Sequence, residues 1–176
     1  HARAEFHSRT SPAPRYAYGF LDGNDIRAID HRVLPEDERT GGALQEFSVA
    51  YKEQSLGPFR IRLAGRHNVE NALAVIAVAL HLKLDIEAIR KGITTFSGTK
   101  RRFEYKGEKK GALVYDDYAH HPAEIRATLT AFRELYPKRR LIINFHPHTY
   151  TRTRALLEDF AGSFEDAAKV MILDIH

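Results

Sequence analysis

The chain has 176 residues, room for one domain or two small ones, and at 43% hydrophobic and 28% charged it has the composition of a water-soluble folded protein. No apolar run approaches the ~18 residues that cross a bilayer, the polar start HARAEFHSRTSPAP offers no secretory core, and the lack of cysteine removes disulfide and thiolate chemistry, so the expected location is the cytoplasm. A formal charge of +4, gathered at Lys100-Arg101-Arg102, Lys106 to Lys110 and Lys138-Arg139-Arg140, suits an anionic ligand as well as a solvated basic surface.

Residues 1–14 are polar, hold two prolines and show no periodicity, which predicts an extended or poorly ordered segment. Short strands are then predicted at Tyr16 to Phe20, Ile26 to Val33, Leu44 to Tyr51 and Gly57 to Leu63. With turn signals at Gly41-Gly42 and Gly57-Pro58, they read as an antiparallel meander. At Gly65 the period changes: Val69, Leu73, Ile76 and Leu80 lie on one helical face, with alanines between them for close packing. A second helix, Ile86 to Ile93, begins at Asp85, a capping residue. The break at Phe96 to Lys100 marks a domain boundary, dividing 1–97 from 98–176.

The second half reads β-β-α-β-α-β. Strands at Arg102 to Tyr105 and Ala112 to Tyr115 flank a turn-rich segment from Gly107 to Gly111. A helix from Pro122 to Leu135 turns Ile125, Leu129 and Phe132 inward. Buried strands at Arg139 to Phe145 and Val170 to Ile175 enclose a helix from Arg154 to Phe164. Helices between buried strands indicate a parallel, doubly wound α/β sheet. The meander has no obvious partner sheet and the last strand no covering helix, which points to part of a longer protein.

In such sheets ligands bind where strands end and helices begin, and both junctions here are dense with polar groups. The first is Asp116-Asp117-Tyr118-Ala119-His120-His121-Pro122; the second is His146-Pro147-His148-Thr149-Tyr150-Thr151-Arg152. The paired aspartates with His120, His121, His146 and His148 have the donor types of a divalent-metal hydrolase. Arg152, His148 and helix N-terminal N–H groups equally suit a carboxylate or phosphate. A third group favours the anion site. Asn68 and Asn71, three apart at the start of the long helix, offer the donor–acceptor pair that matches adenine N6 and N7, and Arg102 adds a guanidinium for phosphates. A nucleotide- or nucleic-acid-binding module using the basic loop is a third class, weakened by the lack of interleaved aromatic residues.

GRHNVENALA, FSGTKRRFE, DDYAHHPAEI and NFHPHTYTRT, in this order, resemble the Mur ligase family of bacterial cell-wall synthesis. The resemblance implies the end of a central ATPase domain, antiparallel strands plus a helix pair over 1–97, followed by an incomplete Rossmann-like ligase domain over 98–176. It implies ATP-dependent amide-bond formation through an acyl phosphate, with UDP-N-acetylmuramate and L-alanine as substrates, and no nucleic-acid or membrane partner. His67, Asn68 and Asn71 are then expected at adenine, Arg102 at the phosphates, and Asp117 at the ribose or in an inter-domain network. Tyr118, His120, His148 and Arg152 are expected to line the substrate pocket, with Asp117, His120 and Arg152 nearest the chemistry. The chain departs from the family in lacking any G-x-x-x-x-G-K-[ST] loop. It also has no counterpart of the family's magnesium-holding Glu and His, and His146 stands where relatives often carry Gln. The N-terminal and P-loop segments, and the magnesium ligands, are therefore expected elsewhere in a longer protein, and this chain alone is expected not to catalyse ligation.

Overall fold

The computed structural model describes residues 15–35 and 44–175. The expected disorder of 1–14 and the turn at Gly41-Gly42 lie outside the described residues. The first half is a four-stranded sheet in the order β1-β2-β3-β4, formed by Tyr18–Gly19, Ile26–Val33, Gln45–Tyr51 and Gln54–Ile61. Alternation drives it: Ile26, Ala28, Phe47, Val49, Phe59 and Ile61 all turn to one face and are buried. That face packs on α1 (Arg66–His81) through Val69, Leu73 and Ile76, and on α2 (Ile86–Thr95) through Ile89. Asp85 caps α2, its carboxylate accepting the Ala88 N–H at 3.0 Å.

Two expectations for this half are corrected. The edge strand β1 is only two residues long and pairs with β2 in parallel, so the sheet is not a pure antiparallel meander. Gly57-Pro58 lies inside β4 rather than at a turn; the chain reverses at Lys52-Glu53, and β4 begins at Gln54. Gly57 sits at φ 139° where the β3–β4 register slips, and a Cβ there would lie 3.1 Å from the Ser48 backbone. Glycine therefore serves close approach of two strands at a bulge.

In the second half, β5 (Glu104–Lys109) and β6 (Ala112–Asp116) form an antiparallel hairpin. The helix α3 (Pro122–Leu135) has the expected bounds, with Pro122 at its first position and a capping box between His121 and Glu124. Next come β7 (Ile142–Phe145), α4 (Tyr150–Ala155), α5 (Leu157–Ala161) and β8 (Lys169–Ile172), with β7 and β8 pairing in parallel. Ile125, Leu129, Leu141, Phe145 and Phe160 make the core of this half. Ala64, Ala131 and Leu135, all buried, join the halves where the start of α1 meets α3.

Three further expectations change here. The hairpin turns at Lys110-Gly111, so β5 runs straight through the segment expected to be a loop. The single helix expected from Arg154 is two short ones, interrupted at Leu156, and begins at Tyr150, so Arg152 lies within α4 rather than before a helix. The strands expected to be buried are covered on one face only, leaving Ile142 53% and Met171 45% exposed. Among the described residues, no helix is long and apolar enough to cross a membrane.

Candidate functional site

The turn into α1 is shaped by one buried polar side chain. Gln45 is fully buried; its amide donates to the carbonyls of Leu63 at 2.6 Å and Gly65 at 3.2 Å, and its Oε1 accepts from His31 Nε2 at 2.8 Å. Gly65, the N-cap position of α1, has φ 86° and no room for a side chain: a Cβ would lie 2.8 Å from the His67 ring and 3.0 Å from Ala131. This turn directs His67, Asn68 and Asn71 into a cleft of about 620 Å³ between α1 and α3, closed below by Gly98, Arg102, Asp117 and Glu124.

Inside the cleft the two asparagines are coupled. Asn68 donates to the Ala64 carbonyl at 2.7 Å, while its Oδ1 accepts from Asn71 Nδ2 at 3.2 Å. Asn68 is thus a tether, and the exposed Asn71 keeps its own carbonyl oxygen open to the cleft. Partial burial of the ring holds the His67 imidazole below its usual pKa, against the opposing pull of Asp117 and Glu70.

Asp117 fastens the segment that links the halves. Its carboxylate accepts the N–H of Phe103 at 2.7 Å and of Ala119 at 2.8 Å, and the Thr128 hydroxyl at 3.3 Å. The Tyr118 N–H returns to the Arg101 carbonyl at 2.8 Å. Arg101 and Phe103 both take positive φ, near 58° and 50°, so this tight loop is strained and is held by those bonds.

Beyond Asp117 the two strand-end junctions meet. The Tyr118 ring lies 5.0 Å from His120 and 5.4 Å from His148; His120 and His148 are 5.8 Å apart, and His146 is 6.2 Å from His148. The guanidinium groups of Arg101 and Arg102 stand 4.8 and 5.7 Å from the centre of the Tyr118 ring. His120 Nδ1 donates to the Tyr118 carbonyl at 2.9 Å and lies 3.3 Å from Glu124. Burial raises the Glu124 pKa, but the N–H groups of His120 and His121 and the His120 imidazole outweigh it, holding the carboxyl below its usual range.

Tyr118, His120, His146, His148 and Arg102 therefore share one edge of the sheet. His121 does not join them; its ring caps α3 through the Ala123 N–H. Asp116 turns to Arg101 at 3.5 Å. Arg152 is half-buried on α4, and its guanidinium has no hydrogen-bond or ion-pair partner among the described residues. Among those residues no group of three or more His, Asp or Glu side chains could hold a metal ion, so the hydrolase alternative finds no ligand set. Glu124 is the site residue that the motifs passed over. Its signal was present: His121-Pro122-x-Glu124 has the spacing of a capping box, with histidine in place of Ser or Thr.

An α/β unit with a polar cleft at its strand ends is thus joined to a helix that presents paired asparagines. The chain belongs to the Mur ligase family: residues 101–175 match the Mur ligase glutamate ligase domain. It is similar to the UDP-N-acetylmuramate–L-alanine ligase of Caldanaerobacter subterraneus subsp. tengcongensis, 46% identical over 159 residues that make up 90% of this chain and 33% of that protein. The crystal structure of the UDP-N-acetylmuramate-alanine ligase MurC from Thermotoga maritima superposes with a TM-score of 0.79 at 25% identity, over 96% of this chain and 36% of that one. MurF from Acinetobacter baumannii shares the fold, with a TM-score of 0.66 at 23% identity over 89% of this chain and 37% of that one. The chain thus spans about a third of the length of the curated relatives it matches.

Proposed function

We propose that this chain is the nucleotide-closing and substrate-holding portion of an ATP-dependent amide ligase that joins L-alanine to UDP-N-acetylmuramate in the cytoplasm. The observation that carries it is the meeting of Tyr118, His120, His148, Arg101 and Arg102 beside the asparagine-lined cleft. The Caldanaerobacter and Thermotoga relatives named above, which carry that activity in their names, support the same assignment.

The donor set of the cleft fits a nucleotide: the open Asn71 carbonyl and the second hydrogen of its amide match an adenine edge, and Arg102 faces the phosphates. His67 borders the base, and Asn68 aligns Asn71. ATP supplies the phosphoryl group that makes the muramoyl carboxylate a better acyl donor, as the acyl phosphate. The chain's own residues do the rest. The imidazoles and guanidiniums around Tyr118 hold anionic groups away from water, and Arg152 offers a two-pronged match for the amino acid's carboxylate. Asp117 acts through the inter-domain loop rather than at the ribose, since its carboxylate is already taken up by Phe103, Ala119 and Thr128. Among the described residues no three His, Asp or Glu side chains gather as a metal site, and the magnesium ligands are assigned to other segments of a longer polypeptide. The division near residue 97 puts the base-reading helix in one unit and the anion-holding edge in the other, so that closure of the two assembles the site.

The test is phosphate release by a longer polypeptide that contains this sequence. Release should require both UDP-N-acetylmuramate and L-alanine, and the 176-residue chain alone should show none. Turnover with either substrate omitted would remove the assignment.

A further inference from the structure

A run of side-chain amides connects the interior of the first sheet to the cleft, and each has its donor and acceptor ends fixed. His31 Nε2 donates to Gln45 Oε1, so the Gln45 nitrogen faces the other way and gives its hydrogens to the carbonyls of Leu63 and Gly65. The carbonyl between those two, that of Ala64, accepts Asn68 Nδ2 at 2.7 Å. His67 Nε2, 3.1 Å from the same nitrogen, accepts its second hydrogen. Asn68 Oδ1 is thereby turned towards Asn71 and accepts the Asn71 amide at 3.2 Å. Reversing any one of these three amides would set oxygen against oxygen at its neighbour and leave donors unpaired.

The Ala64–Gly65 peptide is where this chain of bonds could slip. Gly65 stands at φ 86° and, without a Cβ, leaves that peptide plane free to turn over and carry the Ala64 carbonyl away from Asn68. Gln45 opposes the turn by holding the carbonyls on both sides of it. The Gly65 carbonyl also accepts the Asn68 N–H at 3.0 Å, which ties the same turn to the first residues of α1. Gln45 is wholly buried, where an apolar side chain would pack at less cost, so its polar end is there for the bonds it makes.

We propose that Gln45, anchored by His31, is the positioning residue that fixes the sense of the Asn71 amide and thereby makes the cleft select a 6-amino over a 6-oxo purine nucleotide. This rests on the reading that Asn71 meets the base. With one Asn71 hydrogen committed to Asn68, the open carbonyl accepts from the exocyclic amine and the second hydrogen serves the adjacent ring nitrogen. A 6-oxo base sets its own oxygen against that carbonyl, and the amide cannot turn over to suit it. Gln45 touches no substrate; it acts through the Leu63–Gly65 turn and the two asparagines.

The KM values of ATP and of inosine triphosphate, which carries oxygen in place of the 6-amino group, test this in the longer polypeptide. In the wild-type protein the inosine nucleotide should have a KM at least about tenfold higher. Gln45→Met nearly keeps the volume and loses every bond of the amide, and should bring the two constants close together. His31→Phe keeps a ring against Phe20 and loses only the anchor on Oε1. It should narrow the ratio part of the way, and it carries the test if the methionine variant does not fold. A purely structural role would raise both constants together and leave their ratio unchanged. An unchanged ratio in either folded variant overturns the proposal, as does a wild-type protein that does not distinguish the two nucleotides. Asn71→Ala separates this role from the reading beneath it. If that variant abolishes discrimination while Gln45→Met preserves it, the base reading stands and the role of Gln45 falls. If Asn71→Ala leaves discrimination intact, the base lies elsewhere and both fall.

Discussion

The Asp117 carboxylate lies 2.7 Å from the backbone nitrogen of Phe103, fourteen residues earlier, and its other oxygen lies 2.8 Å from the nitrogen of Ala119. One side chain thereby ties the linker between the halves to the loop that carries Tyr118 and His120. Asp117→Asn keeps the shape but sets an amide N–H against one of these donors. It should cost roughly 1–3 kcal/mol of stability, the range for a lost charge-assisted bond plus an unpaired donor. Urea denaturation measures this. Unchanged stability together with a raised ATP KM would instead place Asp117 on the ribose.

Gly65 is held at φ 86° against the His67 ring and Ala131. Gly65→Ala adds a methyl that both neighbours must yield to, at a backbone angle unfavourable for alanine. About 1–3 kcal/mol of destabilisation is expected, seen as a lower Tm. His67 is displaced with it, so weaker nucleotide binding in the longer polypeptide should accompany the loss.

Asn71 and Asn68 separate by role. In the longer polypeptide, Asn71→Ala should raise the ATP KM by about tenfold, equivalent to ~1.4 kcal/mol, and leave the L-alanine KM nearly unchanged. Asn68→Ala also removes the bond to the Ala64 carbonyl and should lower stability as well. A larger alanine KM than ATP KM effect in Asn71→Ala would take the base out of this cleft.

Arg152 tests the amino-acid end. Arg152→Lys keeps the charge and loses the planar fork, and should cost roughly 1–3 kcal/mol in kcat/KM for L-alanine, with the ATP KM almost unaffected. Because the guanidinium has no partner among the described residues, the folded chain's stability should hardly change. Wild-type alanine kinetics in the lysine variant would remove Arg152 from the site.

Glu124 predicts a pH dependence. Its folded pKa lies below the ordinary carboxyl value of 4.5, so the unfolded chain takes up the proton first as pH falls. Its contribution is complete above 4.5 and is lost as pH drops through the folded value. Glu124→Gln should flatten the stability profile in that acid window and leave its shape near neutrality unchanged. Denaturation midpoints of both proteins, taken across the window, measure this.

Sequence alone was enough wherever neighbours along the chain decide the structure. Pro122 at the first helical position and the spacing of Ile125 and Leu129 determine α3, and Asp85 caps α2 from three residues away. The four motifs likewise marked both strand-end junctions, because a loop's polar residues are contiguous in the chain. What failed depends on groups far apart in sequence. Gly57-Pro58 looks like a turn until Ser48 on the neighbouring strand makes it a bulge. Sequence places Asp117 at the ribose or in an inter-domain network, and the donation from the Phe103 backbone to its carboxylate is a contact only the fold supplies. His120, His121, His146 and His148 are equivalent in composition, and only packing sends His121 to a helix cap, sets His120 and His148 against Tyr118 and stacks His146 beside His148. The strands β7 and β8 read as buried because their residues are apolar; their burial is a property of the layers on both faces of the sheet, which hydrophobicity along one strand cannot specify.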